Sequence, residues 1–355
     1  MDGTAVVLCE GRFRTPYAKT AHGLVRGSDR YRVLGVIDST AAGADAGALL
    51  DGVPRGIPVY ASVAEAIARS AERPRYAVVG VATSGGRFTP ELRTALLDAL
   101  RQGLSVVNGL HELASEDPEL AEEARRRGVE ILDVRRPRPA RELRFWTGEA
   151  LGLRVPRIAV LGTDCAVGKR TTTVLLAGAC NRAGLRTEWI ATGQTGWMQG
   201  APYGIILDAL PNDFVSGELE GAVVRCATER SPDLILIEGQ SALRNPSGPC
   251  GSELILSAGA RGVVLQHAPG RTHFEGLEEC GCRLPPLEEE IALIRLLGAR
   301  TLAVALNAEG LTAEASRAAR DRLADALGLP VVRPLEDGVD ALVPALQAYV
   351  ASESP

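Results

Sequence analysis

A chain of 355 residues is long enough for two domains, each with its own apolar core. Its net charge of −5 argues against a nucleic-acid partner, because a phosphate backbone selects a basic face. The apolar share of 46% falls in short runs, none near the ~20 residues of a membrane span, and no signal-peptide pattern opens the chain. With seven scattered cysteines, this predicts a cytoplasmic protein with reduced thiols, no membrane partner and no disulfide framework. Cys280 and Cys282 stand too close together, and too far from other ligands, to read as a zinc site.

The first half alternates strand and helix signals. Residues 4–9 and 33–38 read as strands, 63–71 as a helix, 76–82 as a strand and 90–102 as a helix. A strand at 104–108, a helix at 118–127 and a strand at 129–134 complete it. Strands separated by single helices predict a parallel, doubly wound α/β sheet. Asp38 ends the second strand, where dinucleotide-binding sheets carry a ribose-binding acid. The glycine fingerprint of such sites is missing, however: Gly11 is the one glycine in the turn at 9–14. That turn and the polar loop at 83–87 are candidate substrate walls of a Rossmann-like domain spanning 1–140. Prolines among arginines at 135–141 form an exposed connector, and a second α/β domain is expected over 141–355.

The second domain opens on the most informative stretch, an apolar run at 157–161 followed by GTDCAVGK at 162–169 and a hydroxyl-rich helix start. Gly162 and Gly168 allow the backbone to wrap successive N–H groups around an anion. The helix beginning near Gly168 aims its positive end at the same point, and Lys169 adds a full charge. The loop departs from G-x-x-x-x-G-K-[ST]: five residues separate its glycines, and Arg170 follows the lysine. Thr163, Asp164, Cys165, Ala166 and Val167 fill the loop, and with its glycines and lysine it resembles the phosphate loop of dethiobiotin synthetases. A hydroxyl normally binds Mg2+ after the lysine. Here Thr171 and Thr172 are the hydroxyls available to it, and Arg170 offers a second cation for an extra phosphate.

The strand at 231–238 ends in Glu238, a candidate Mg2+ ligand beside the loop, with Asp208 as a second. Later strands are expected at 187–192, 262–267 and 301–307, with helices at 287–297 and 313–327. Gln194 and Thr195 leave one strand and Gln240 another, so these three are candidate substrate contacts. His267, at a strand end, is a candidate general base, and Arg271 a candidate fork for a carboxylate or phosphate. Asn307 ends the last strand, in a position resembling the base-reading Asn of dethiobiotin synthetases; the guanine motif is missing, which disfavours GTP.

Taken together, the runs at 162–172, 192–196, 237–241 and 266–271 resemble a D-glutamate N-acetyltransferase-like family, formerly a domain of unknown function, over nearly the whole chain. The resemblance implies a Rossmann-like N-terminal domain, a dethiobiotin-synthetase-like P-loop domain, and acetyl transfer from acetyl-CoA to the amine of a small acidic amino acid. In that reading the loop grips CoA phosphates. The alternatives are an ATP- and Mg2+-dependent ligase or kinase that activates a small carboxylate, and a non-catalytic nucleotide switch. A homo-oligomer is the expected assembly.

Overall fold

The computed structural model describes residues 2–353. The chain divides into two compact units. The first holds residues up to Arg138 together with Gln194–Ala201; the second holds Pro139–Gly193 and the residues from Pro202 onward.

In the first unit, strands β1 (Gly3–Leu8), β2 (Tyr31–Ile37), β3 (Val59–Tyr60), β4 (Tyr76–Val79), β5 (Ser105–Asn108) and β6 (Ile131–Asp133) alternate with helices. These are α1 (Lys19–Arg26), α2 (Ala46–Asp51), α3 (Val63–Arg69), α4 (Pro90–Arg101) and α5 (Pro118–Arg127). All pairings are parallel, in the order β3-β2-β1-β4-β5-β6. This is the doubly wound order of dinucleotide-binding folds. Local chemistry sets the helix starts: Thr89 and Asp117 accept from the N–H groups of Leu92 and Leu120, and each is followed by a proline that suits the first helical position.

Asp38 is in place at the end of β2, but its carboxylate is already spent. It accepts from the N–H groups of Gly11 (3.1 Å), Phe13 (2.8 Å) and Thr40 (3.0 Å) and from the Thr40 hydroxyl (2.6 Å). A ribose would have to displace these bonds, so Asp38 closes the first turn of the unit instead of reading a cofactor. Asp38→Ala would orphan the buried Phe13 amide and unfasten the partly buried donors of Gly11 and Thr40, and should cost about 1–3 kcal/mol of stability. Chemical denaturation of the full chain checks this, and a loss near zero would contradict it.

The second unit begins with β7 (Arg157–Gly162) and continues through α6 (Lys169–Arg182), β8 (Thr187–Ala191), α7 (Gln194–Gln199) and β9 (Tyr203–Gly204). Of these, α7 belongs to the first unit; the second then runs through α8 (Asn212–Arg230), β10 (Leu234–Glu238), α9 (Ser252–Leu256), β11 (Gly262–His267) and α10 (Leu287–Leu296). It ends with β12 (Arg300–Leu306), α11 (Ala313–Leu327), β13 (Val331–Val332) and α12 (Val343–Glu353). The sheet is again wholly parallel, ordered β13-β12-β11-β7-β10-β8-β9. Its central strands are unbroken apolar runs because both faces are covered. Side chains alternate between two cores: Ile158 and Val160 join Leu176 and Cys180 of α6, while Ala159 and Leu161 join Leu219 and Val223 of α8.

The α7 segment groups with the first unit. Met198 enters that core, and Gln199 Nε2 donates to the carbonyls of Gly23 (2.9 Å) and Gly27 (3.0 Å). The Arg30 guanidinium lies 3.9 Å over the Trp197 ring. No described helix is long and apolar enough to cross a membrane.

Candidate functional site

The central strand β7 ends at Gly162 and α6 starts at Lys169, leaving residues 163–168 as the connecting loop. Its two neighbours in the sheet, β10 and β11, deliver Glu238 on one side and Gln266 and His267 on the other. Ligands of such sheets bind beyond the carboxyl ends of the strands, and these residues all stand there. Gly168, at φ 109°, turns the chain into the helix through a backbone region that side chains rarely adopt. Gly239 is needed for a different reason: a Cβ there would lie 2.3 Å from the Val160 carbonyl and 3.0 Å from Lys169 Cδ.

Lys169 is 7% exposed, and its Nζ donates to the carbonyls of Asp164 (2.6 Å) and Ser241 (2.7 Å). Burial pulls its pKa down to about 8, against the attraction of Cys165, Asp164 and other nearby groups. The ammonium group is therefore held by neutral oxygens that a phosphate oxygen can replace. Two residues flanking it, Ala166 (φ 53°) and Ser241 (φ 41°), are held in the left-handed region, at about 1–3 kcal/mol each. Among the described residues just one other non-glycine position, Ser231, has a positive φ.

Asp164 is the brace of the loop. It is fully buried and accepts from Cys165 N (2.7 Å), Glu275 N (2.9 Å), Arg271 Nη1 (3.0 Å) and Asn245 Nδ2 (3.5 Å). Thr163 N donates to the Gln266 carbonyl at 3.0 Å, and its hydroxyl pairs with His267 Nδ1 at 3.0 Å. The Thr172 hydroxyl donates to Gln266 Oε1 at 2.6 Å, and that of Thr173 to the Lys169 carbonyl at 2.8 Å. Val167 is buried, Cys165 is partly exposed, and Ala166 forms the exposed crest.

Two catalytic expectations change. Burial lowers the His267 pKa to about 4, despite the opposing charge of Glu288. A neutral imidazole with so low a pKa is poorly matched to removing a proton from an ammonium group near pH 7. Its observed job is to hold Thr163. Arg271 also has prior commitments: Nη1 serves Asp164, the Cys165 carbonyl (2.8 Å) and Glu275, and Nη2 serves Glu309 (2.6 Å). With three acids around it, it fastens the loop at 268–275 to the phosphate loop, and its charge is already balanced by those partners.

The His267 shift carries a stability consequence. A histidine with a depressed folded pKa stays neutral while the unfolded chain takes up a proton, so stability falls as pH drops from about 6.5 toward 4. The loss should reach about 3 kcal/mol, and His267→Gln should remove most of that acid sensitivity. Denaturant unfolding of both proteins at pH 7 and pH 4.5 measures it; equal pH dependence would contradict it.

The expected metal ligands sit in different settings. Among the described residues no group of three or more His, Cys, Asp or Glu is arranged to hold an ion. Asp208 is exposed on a short turn at Leu207–Ala209, while Glu238 is 5% exposed. Glu238 accepts from Thr192 N at 3.1 Å. Burial raises its pKa to about 7, opposed by the charge of Arg170, the Thr192 bond and Lys169. Position 170 thus carries a cation where a metal-binding loop has a hydroxyl, and Thr172 has given its hydroxyl to Gln266. Arg170 and Glu238 therefore do not reproduce the hydroxyl–carboxylate pair that usually holds Mg2+ after the lysine, and Thr171, partly exposed, stands one residue further along α6.

The candidate substrate contacts divide between the units. Gln194 and Thr195 stand on α7 in the first: Gln194 Oε1 accepts from Arg135 Nη2 (2.9 Å), and the Thr195 hydroxyl pairs with that of Thr20 (2.9 Å). Gln240, in the second, donates to the Thr192 hydroxyl at 3.2 Å. Asn307 lies beside His267, its N–H on the His267 carbonyl (2.8 Å) and its Oδ1 accepting from Glu309 N (2.9 Å). Ser241, the last residue of the 237–241 run, and Asn245 beyond it also join the site, with roles that no motif assigned. The polar run directly after Glu238-Gly239 was their signal, since a strand end next to a phosphate loop supplies its far wall.

The P-loop domain of a family of unknown function, DUF1611, matches residues 144–343, and the Rossmann-like N-terminal domain of the same family matches 39–137. A protein of Pseudoalteromonas sp. named D-glutamate N-acetyltransferase is 31% identical over 274 residues, covering 75% of this chain and 79% of that protein. One of Tritonibacter scottomollicae with the same name is 32% identical over 280 residues, covering 76% and 80%. The crystal structure of a DUF1611 family protein from Anabaena variabilis is 31% identical, covers 97% of this chain and 99% of that one, and superposes with a TM-score of 0.87. The chain belongs to the DUF1611 family, with its Rossmann-like and P-loop domains in that order.

Proposed function

We propose that this protein is an N-acetyltransferase that moves the acetyl group of acetyl-CoA to the amine of a small acidic amino acid, with D-glutamate as the first substrate to try. The observation that carries the reading is the braced loop around Lys169, in a chain whose curated relatives are named for that reaction. Acetyl-CoA presents a pyrophosphate and a 3′-phosphate, the chemistry that loop N–H groups and a lysine suit. In the reaction the amine nitrogen attacks the thioester carbonyl carbon, the C–N bond forms, and the C–S bond breaks. Free CoA leaves as the thiol, and the ammonium group's excess proton goes to solvent.

In this account residues 163–168 and Lys169 anchor the donor, while Gln240 contributes to the acceptor pocket. His267 and Arg271 act as positioning residues for the loop. Seven unpaired thiols suit a reducing, cytoplasmic setting, where acetyl-CoA is made and used.

The test is thiol release from acetyl-CoA on adding D-glutamate, L-glutamate or D-aspartate, with mass analysis of the product. Acetylated amino acid and one thiol per turnover are expected. Phosphate release from ATP that depends on the amino acid, without thiol release, would replace this reading with an ATP-dependent ligase.

A further inference from the structure

Phosphates bound in a nucleotide loop usually share their charge with a divalent cation, held by a hydroxyl after the lysine and by a strand-end acid. Both positions exist in this chain, but their chemistry differs. Arg170 follows Lys169 in the first turn of α6. Glu238 ends β10, the strand paired with β7, where it registers against Val160. The Glu238 carboxylate is buried, anchored by Thr192 N, and faces the positive charges of Arg170 and Lys169 at the start of α6. Thr172 and Thr173 have committed their hydroxyls inside the protein, and Thr171 stands one residue beyond the position that usually carries the metal-binding hydroxyl. No described group of three or more His, Cys, Asp or Glu is arranged to take an ion.

We infer that the Arg170 guanidinium, paired in charge with Glu238, takes the place of the divalent cation, so that this loop binds its phosphorylated ligand without metal. An arginine brings several donors in a fixed fork that matches phosphate oxygens, and unlike a metal it needs no hydration shell to be stripped. Glu238 balances the charge at the start of α6 when the loop is empty. The inference rests on the reading of CoA as the ligand, so ADP serves as an independent probe of the same loop.

The experiment is equilibrium titration of the full chain with CoA and, separately, with ADP, each in excess EDTA and in excess Mg2+. Wild type should bind CoA equally well in both, within about twofold. Mn2+ titrated alone, followed by its paramagnetic resonance signal, should find no stoichiometric site. Arg170→Ser should weaken binding in EDTA by about 10- to 100-fold. Because it restores a hydroxyl, Mg2+ should then recover much of the loss, and Arg170→Ser with Glu238→Gln should abolish that recovery. Arg170→Lys, which retains the charge, should bind without metal and serves if the serine variant does not fold.

Loss of wild-type CoA binding in EDTA would overturn the inference, as would an Arg170→Ser protein that binds like wild type. If wild type fails to bind CoA but binds ADP equally in both buffers, the inference stands and the acetyl-CoA reading falls. If wild type binds ADP with Mg2+ alone, both fall.

Discussion

Lys169→Met should lose affinity for CoA by on the order of 100-fold, the cost of removing a charge-assisted contact to phosphate, while the fold survives. The reason lies in the ligand-free state. The ammonium group is buried and its pKa is lowered to about 8 from an ordinary 10.5. Below pH 8 the folded and unfolded chains are both protonated, and the folded one bears the full desolvation penalty, about 3 kcal/mol. As pH rises from 8 to 10.5 the folded lysine gives up its proton first and the penalty fades. Methionine fills a similar volume without charge but leaves the carbonyls of Asp164 and Ser241 without their donor, which offsets part of the gain. The melting temperature at pH 7 should therefore be no lower than that of wild type. Calorimetric titration with CoA and thermal unfolding of the ligand-free variant test both halves. Retained affinity, or a variant that binds poorly because it has unfolded, would count against the account.

Asp164→Ala should have the largest structural effect in the second unit. Four donors converge on that carboxylate, two from main-chain amides and one from a guanidinium. Truncation removes the one fully buried acid of the three around Arg271 and orphans the amides of Cys165 and Glu275. Breaking one side of a buried ion pair costs about 3–5 kcal/mol, so the unfolding midpoint should drop by on the order of 10 °C. CoA affinity should fall in parallel, because the loop loses the post that fixes its curvature. Asp164→Asn keeps the shape and an acceptor and should cost less. A drop of under about 1 kcal/mol in Asp164→Ala would mean that the loop is held by other means.

Much of this was legible in the sequence because the relevant signals are local. The alternation of short apolar runs with single helices gave both parallel sheets, and the run at 162–169 gave the loop. Periodicity cannot report what a polar side chain is bonded to. Asp38 sat at the ribose position and Arg271 beside a strand end. Yet both are tied to groups far away in sequence: Asp38 to Gly11 and Phe13, and Arg271 to Asp164 and Glu309. The same holds for His267, whose chemistry is set by burial and by Thr163, not by its place after a strand. Nor does a six-residue helix such as α7 carry enough pattern to show that it groups with the first unit. Position 170 is the converse case. The departure from the usual motif was visible at once, but the sequence alone could not show that a buried acid, Glu238, ends the neighbouring strand.

The most direct test is a crystal structure with CoA bound. The account predicts the pyrophosphate seated within the N–H groups of residues 165–170, with Lys169 Nζ moved off the carbonyls of Asp164 and Ser241 onto phosphate oxygens. CoA bound elsewhere, with Lys169 still on those two carbonyls, would contradict it.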